Sequence, residues 1–151
     1  MQGTEPRRVN ERSAVLVVTD SIRLRDELRR ALQAHGHLVV HCAGPQPPAF
    51  TCVAGLGCSC KIAREAGTII LDGELRSDDA ATGTTAAELA HYYRGLGHRV
   101  VFLEDDEPLR AELPPDVTRI SRHAGPVRIA AAVAGPKEHP PAIRVVASTR
   151  R

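Results

Sequence analysis

"AVLVVTDSIRLRDELRRALQAHGHLVV", residues 14–40, contains a strand, a helix and the body of a second strand. Ala14 to Val18 is an unbroken apolar run rich in β-branched side chains, the pattern of a strand buried on both faces of a parallel sheet. The run stops at "TDS" (19–21), and the next stretch, to Gly36, has helical spacing of Ile22, Leu24, Leu28 and Leu32. Asp20 or Ser21 is placed to cap that helix, and Gly36 to end it. "HLVVHC" (37–42) then reads as a second short strand.

The alternation continues along the chain. "TIILD" (68–72) is a third buried strand that ends on a carboxylate, and "RVVFL" (99–103) and "DVTRIS" (116–121) are the fourth and fifth. "TAAELAHYYRGLG" (85–97) predicts a helix with a capping box, Thr85 to Glu88, and a stop at Gly97. "EDDEPLRAEL" (104–113) predicts a short helix stopped by Pro114–Pro115, and its acidic start suits a first helical turn. "GPVRIAAAVAG" (125–135) predicts the last helix. "SDDAATGTT" (77–85) reads as a loop whose polar groups serve to cap the next helix, and "AIRVVAS" (142–148) as a fragment able to dock as an edge strand. Five short buried strands alternating with helices predict an α/β, three-layer α/β/α single domain. Its sheet is doubly wound, five-stranded and parallel, of order 2-1-3-4-5. The expected divisions are a polar, disordered arm at 1–12, the domain at 13–135 with a Cys/Gly/Pro-rich insert at 43–61, and a tail at 136–151.

Composition narrows the function classes. A chain of 151 residues with 42% hydrophobic and 25% charged residues has the composition of a globular domain, and with 3% aromatics its core rests on Val, Ile, Leu and Ala. A net charge of +2 gives no electrostatic case for nucleic acid as a direct partner. No apolar run reaches the ~20 residues that span a bilayer. "MQGTEPRRVNERS" lacks the apolar centre of a signal peptide, so a cytoplasmic location is expected.

With strand, acidic turn and helix in this order, "VLVVTDSIRLRDELRRALQAHGHLVV" and "TIILD" resemble the receiver domain of bacterial response regulators, over roughly Ala14 to Val133. The resemblance places Asp72 at the phosphoacceptor position and Asp20 on one of two acidic positions that hold Mg²⁺, so Mg²⁺ at Asp20 and Asp72 is an expectation. The chain departs from the family at three points: Thr19 stands at the other acidic position, Glu104 at the Ser/Thr position after strand four, and Arg122 at the Lys position after strand five. Phosphoryl transfer to a carboxylate relies on Mg²⁺ and a cation to neutralise charge on the phosphoryl oxygens. On this reading one metal carboxylate is lost, and a phosphoryl group on Asp72 would face the Glu104 carboxylate. Arg122 keeps the positive charge but changes its geometry. A degenerate scaffold is expected, with an Asp72 phosphoacceptor as the alternative.

The same scaffold has been rebuilt between strands two and three, where the family has an amphipathic helix. "AGPQPPAFTCVAGLGCSC" (43–60) forbids one through Pro45, Pro47 and Pro48 and weakens any remainder through its glycines. All four cysteines fall here or next to it: Cys42 at the end of strand two, then Cys52, Cys58 and Cys60. Four thiols clustered in a reducing compartment suit a metal, with zinc as a structural staple or an iron–sulfur cluster as a sensor. Lys61 and Arg64 would offset the charge of a four-thiolate site. The cluster is favoured because the segment lies at the edge of the domain, open to oxidants. A thiol/disulfide pair, Cys58 with Cys60, and plain burial of cysteines as small hydrophobes are the alternatives. Catalytic thiol chemistry lacks a C-x-x-C at a helix N-terminus. His41 points to the opposite strand face from Cys42, and His35, His37, His91, His98 and His123 are scattered over helix ends and loops. The expected function is a stand-alone regulatory or sensor module, not an enzyme, acting through protein partners, a second copy of the chain among the candidates.

Overall fold

The computed structural model describes residues 14–44, 60–75, 85–105 and 113–134. Within them the elements are β1 (Ala14–Val18), α1 (Ile22–Ala34), β2 (Val39–Cys42), α2 (Lys61–Arg64), β3 (Ala66–Asp72), α3 (Ala86–Gly95), β4 (Arg99–Glu104), β5 (Thr118–Ser121) and α4 (Pro126–Ala134). The five strands form one sheet of order β2-β1-β3-β4-β5, every neighbouring pair parallel. Fold class and strand order are those expected from the sequence.

Strand side chains alternate between the two faces of the sheet, and the core divides accordingly. Leu16, Val18, Ile69, Leu71 and Phe102 pack with Leu89 and Tyr93 of α3 on one face. Val15, Val17, Ile70, Val101 and Leu103 pack with Leu28 and Leu32 of α1 and Ile129 and Val133 of α4 on the other. Every one of these side chains is buried, which explains why the central strands read as continuous apolar runs.

Helix ends follow the sequence signals. Ser21, not Asp20, caps α1, its Oγ accepting from Leu24 N at 3.2 Å. Gly36 takes φ +85° just past the C-cap His35, a conformation that glycine adopts without strain. The capping box of α3 is formed in both directions, Glu88 N to Thr85 Oγ1 at 3.1 Å and Thr85 N to Glu88 Oε1 at 3.2 Å. Arg99, at the start of β4, donates to the carbonyls of Ala132 and Val133 and so satisfies the last turn of α4. Between β2 and β3 the described helix is the four-residue α2, in line with the proline block before it. The arm at 1–12, the body of the insert, most of "SDDAATGTT", the centre of the predicted 104–113 helix and the tail at 136–151 lie outside the described residues.

Candidate functional site

The carboxyl ends of β1, β3 and β5 meet around Asp72. In open α/β sheets this edge, at the point where strand order reverses, is where ligand sites form; β1 and β3 flank that point here. Asp72 is fully buried at the end of β3. A buried carboxylate is costly unless it is paired and hydrogen-bonded, and here it is both. Arg122, one residue past β5, reaches it with two nitrogens, Nε to Oδ1 at 2.9 Å and Nη2 to Oδ2 at 3.3 Å. Thr19, one residue past β1, donates its hydroxyl to Oδ2 at 2.6 Å. The Glu74 amide completes the set, donating to Oδ1 at 3.0 Å. A carboxylate offers about four acceptor directions, and these four donors take them all.

Local structure holds each donor in place. Thr19 is itself buried, and its Oγ1 accepts from the Ser21 amide at 3.0 Å, which fixes the hydroxyl at the turn into α1. Arg122 is anchored by its own amide, which donates to the Glu104 carbonyl at 2.8 Å. Gly73 turns the chain after β3, its amide donating to Leu103 O at 2.9 Å. A Cβ at Gly73 would lie 2.7 Å from Leu103 O and 2.8 Å from Phe102 Cε1, so only glycine fits there without displacement.

A second, more exposed shell surrounds the pair. Arg122 Nη1 lies 3.5 Å from Glu74 Oε1, and His123 Nε2 lies 3.2 Å from Asp105 Oδ1. The hydrogen bond from Asp105 raises the Glu74 pKa above its ordinary value; burial and the charges of Asp105 and Asp72 add to this, and Arg122 opposes it. The hydrogen bond to Asp72 raises the Arg122 pKa in turn.

Of the site residues expected from sequence, Asp72 and Arg122 come together. Asp20 lies beside Thr19 and lines a separate cavity of about 390 Å³ with His41 and Cys42. The Glu104 carboxylate is turned to Arg119 of β5 at 3.2 Å, while the acids facing Arg122 are Asp72, Glu74 and Asp105. The second shell was not readable in the sequence, because "EDDE" suits a helical first turn and His123 a solvated loop. Its one signal is Glu74, two residues beyond Asp72.

The donor set around Asp72 does not fit Mg²⁺. Such an ion needs several oxygen ligands in octahedral array, whereas Thr19 and Arg122 present hydrogens to both Asp72 oxygens. Among the described residues there is no group of three or more His, Cys, Asp or Glu able to hold a metal ion.

Of the four cysteines, Cys42 and Cys60 are described. Cys42 ends β2 and Cys60 caps α2; both are half-buried free thiols against the same core cluster, on the α3 face of the sheet. Cys42 Sγ accepts from the Gly44 amide at 3.3 Å. Cys52 and Cys58 lie outside the described residues. No described helix is long and apolar enough to cross a membrane.

No protein-family profile matches the sequence, and no curated protein matches it significantly. Solved structures do. A CheY-like response regulator receiver domain protein from Methanospirillum hungatei superposes with a TM-score of 0.58 at 18% identity, covering 82% of this chain and 91% of that one. The N-terminal domain of a response regulator/sensory box/GGDEF protein from Carboxydothermus hydrogenoformans gives 0.57 at 21% identity, covering 80% and 90%. The PhyR response regulator REC domain from Erythrobacter litoralis gives 0.57 at 13% identity, covering 83% and 90%. At these identities the likeness establishes the fold: this chain has the receiver fold.

Proposed function

We propose that this receiver-fold domain is a response-regulator-like signalling module that works without phosphorylation of Asp72 and acts through protein partners. One observation carries the reading: all four acceptor directions of the Asp72 carboxylate are taken by Arg122, Thr19 and the Glu74 amide. An attacking carboxylate needs a free lone pair in line with the phosphoryl donor. Here Arg122 or Thr19 would first have to leave a buried charge. The pair therefore serves as a neutralised tie between β1, β3 and β5. Incubating the chain with acetyl phosphate and Mg²⁺ tests this, with no incorporation expected. Stoichiometric labelling of wild type that is lost in Asp72→Ala would replace this reading with the phosphoacceptor alternative.

The signal input, on this proposal, belongs to the cysteine-bearing segment after β2, with Cys42, Cys52, Cys58 and Cys60 as ligands of an iron–sulfur cluster or zinc. Support comes from the two ends of the segment. Cys42 and Cys60 pack on the same core cluster, and Cys42 borders the cavity of about 390 Å³. The Gly44 N–H at the Cys42 sulfur is the kind of donor that stabilises a ligating thiolate. Anaerobically purified protein is expected to carry stoichiometric zinc, or iron with visible absorbance, that is lost in Cys58→Ser. Colourless, metal-free protein with four titratable thiols would refute the metal and leave the unphosphorylated-module reading intact.

A further inference from the structure

A cavity of about 340 Å³ opens between the starts of α1 and α4, on the sheet face opposite to α3. Leu24, Pro126 and Ile129 give it an apolar wall, and Arg122 is part of its lining. Arginine has five N–H donors in a rigid plane, with one pairable edge at Nε/Nη2 and another at Nη1/Nη2. Asp72 occupies the first edge. On the second edge the one described neighbour is the Glu74 carboxylate, whose 3.5 Å separation is an ion-pair distance and long for a hydrogen bond. The end-on edge is therefore competent to take a second carboxylate while the first stays on Asp72.

Charge bookkeeping chooses among anions. The Arg122 charge is matched by Asp72, and the other arginine of the cavity, Arg23, is paired with Glu27 of the same lining at 3.1 Å. His123 adds a titratable group at the rim, itself shared with Asp105. This lining is close to neutral and has no surplus of cations for a dianion. One planar carboxylate matching the free edge of the guanidinium, with an apolar body against Leu24 and Ile129, meets both halves of the cavity.

We propose that the α1/α4 cavity binds a small organic monocarboxylate on the end-on edge of Arg122. Such a ligand would touch the residue that ties β5 to Asp72, and would bring a small-molecule input to that tie.

Benzoate is a suitable probe and benzamide its neutral counterpart. The full-length chain is titrated with each at constant ionic strength, following amide NMR signals and transfer of magnetisation from ring protons to the Leu24 and Ile129 methyl groups. Saturable benzoate shifts at Ser21, His123 and Gly125 are expected, with transfer to both methyl groups and at least tenfold weaker binding of benzamide. Arg122→Lys, which keeps the charge but loses the planar fork, is expected to weaken benzoate at least tenfold, and the exposed Arg23→Gln about threefold or less. Equal binding of benzoate and benzamide, or no transfer to Leu24 and Ile129, overturns the proposal. So does undiminished benzoate binding in Arg122→Lys with a wild-type-like spectrum. If that variant does not fold, the two wild-type criteria decide.

Discussion

The ends of β3 and β2 solve different problems on the same edge of the sheet. β3 ends in a fully buried carboxylate with every acceptor direction filled. β2 ends in a half-buried thiol beside a cavity, followed by a segment with little apolar surface of its own. The first is electrostatically complete without any ligand. Satisfied buried polar groups rigidify a fold, and a chemical event at Asp72 would have to undo that. Weakly packed segments belong to the low-stability end of a structure and are where change is cheap. A receiver fold that fills its carboxylate pocket leaves its other carboxyl-end loops as the place for input.

The contrast breaks most clearly at Arg122. Arg122→Ala would strand a buried Asp72 without its cation, and stability to denaturant is expected to fall by about 3 kcal/mol. A loss below about 1 kcal/mol would mean that Asp72 is held by Thr19 and the backbone alone. Thr19→Asp is next. It removes the hydroxyl donor at 2.6 Å and sets a second carboxylate against the first, at an expected cost of about 2 kcal/mol. Added Mg²⁺ should recover part of that loss in the variant and leave the wild-type melting temperature unchanged. An equal Mg²⁺ response in both proteins would show that the wild-type pocket already takes a cation.

Two glycines sharpen the comparison. At Gly73 the added methyl meets a main-chain carbonyl at 2.7 Å, which cannot move without disturbing β4, and Gly73→Ala is expected to cost about 2 kcal/mol. At Gly44, beyond Cys42, the nearest atom is the flexible Leu75 side chain at 3.2 Å, but φ is +78°. Gly44→Ala should cost about 1 kcal/mol, mostly from backbone strain. Urea titrations of the two variants test the order, and a larger loss at Gly44 would reverse the ranking of the two regions.

How much of this was readable in the chain differs between the same regions. β1, β3 and β4 announce themselves because strands buried on both faces must be apolar throughout, and the caps at Ser21 and Thr85 are local hydrogen-bonding patterns. Asp72 and Arg122 were legible as positions through the family resemblance, but their pairing spans 50 residues. No local spacing encodes such a contact. Thr19 illustrates the limit best: from sequence it is a missing metal carboxylate, whereas in the fold its hydroxyl supplies the hydrogen that makes a cation unnecessary. Glu104 misled for a related reason, since strand position does not say that Arg119, on the neighbouring strand, will claim its carboxylate.

The smallest expected effect lies in the second shell. The hydrogen bond from Asp105 raises the Glu74 pKa from an ordinary 4.5, so the folded chain binds that proton more tightly than the unfolded chain does. Stability contributed by this group is therefore fully present below about pH 4.5 and is lost as pH rises through the folded-state value. Glu74→Gln keeps an amide able to hydrogen-bond Asp105 but cannot ionise. Wild type is expected to lose stability relative to Glu74→Gln between about pH 4 and pH 7, by less than about 1 kcal/mol because the carboxyl is well exposed. Denaturant titrations of both proteins across that range read the sign directly. If wild type instead gains with pH, attraction of the Glu74 carboxylate to Arg122 outweighs its contact with Asp105. Glu74 would then belong with Asp72 as a firm partner of the guanidinium, and the edge of Arg122 that faces it would already be taken.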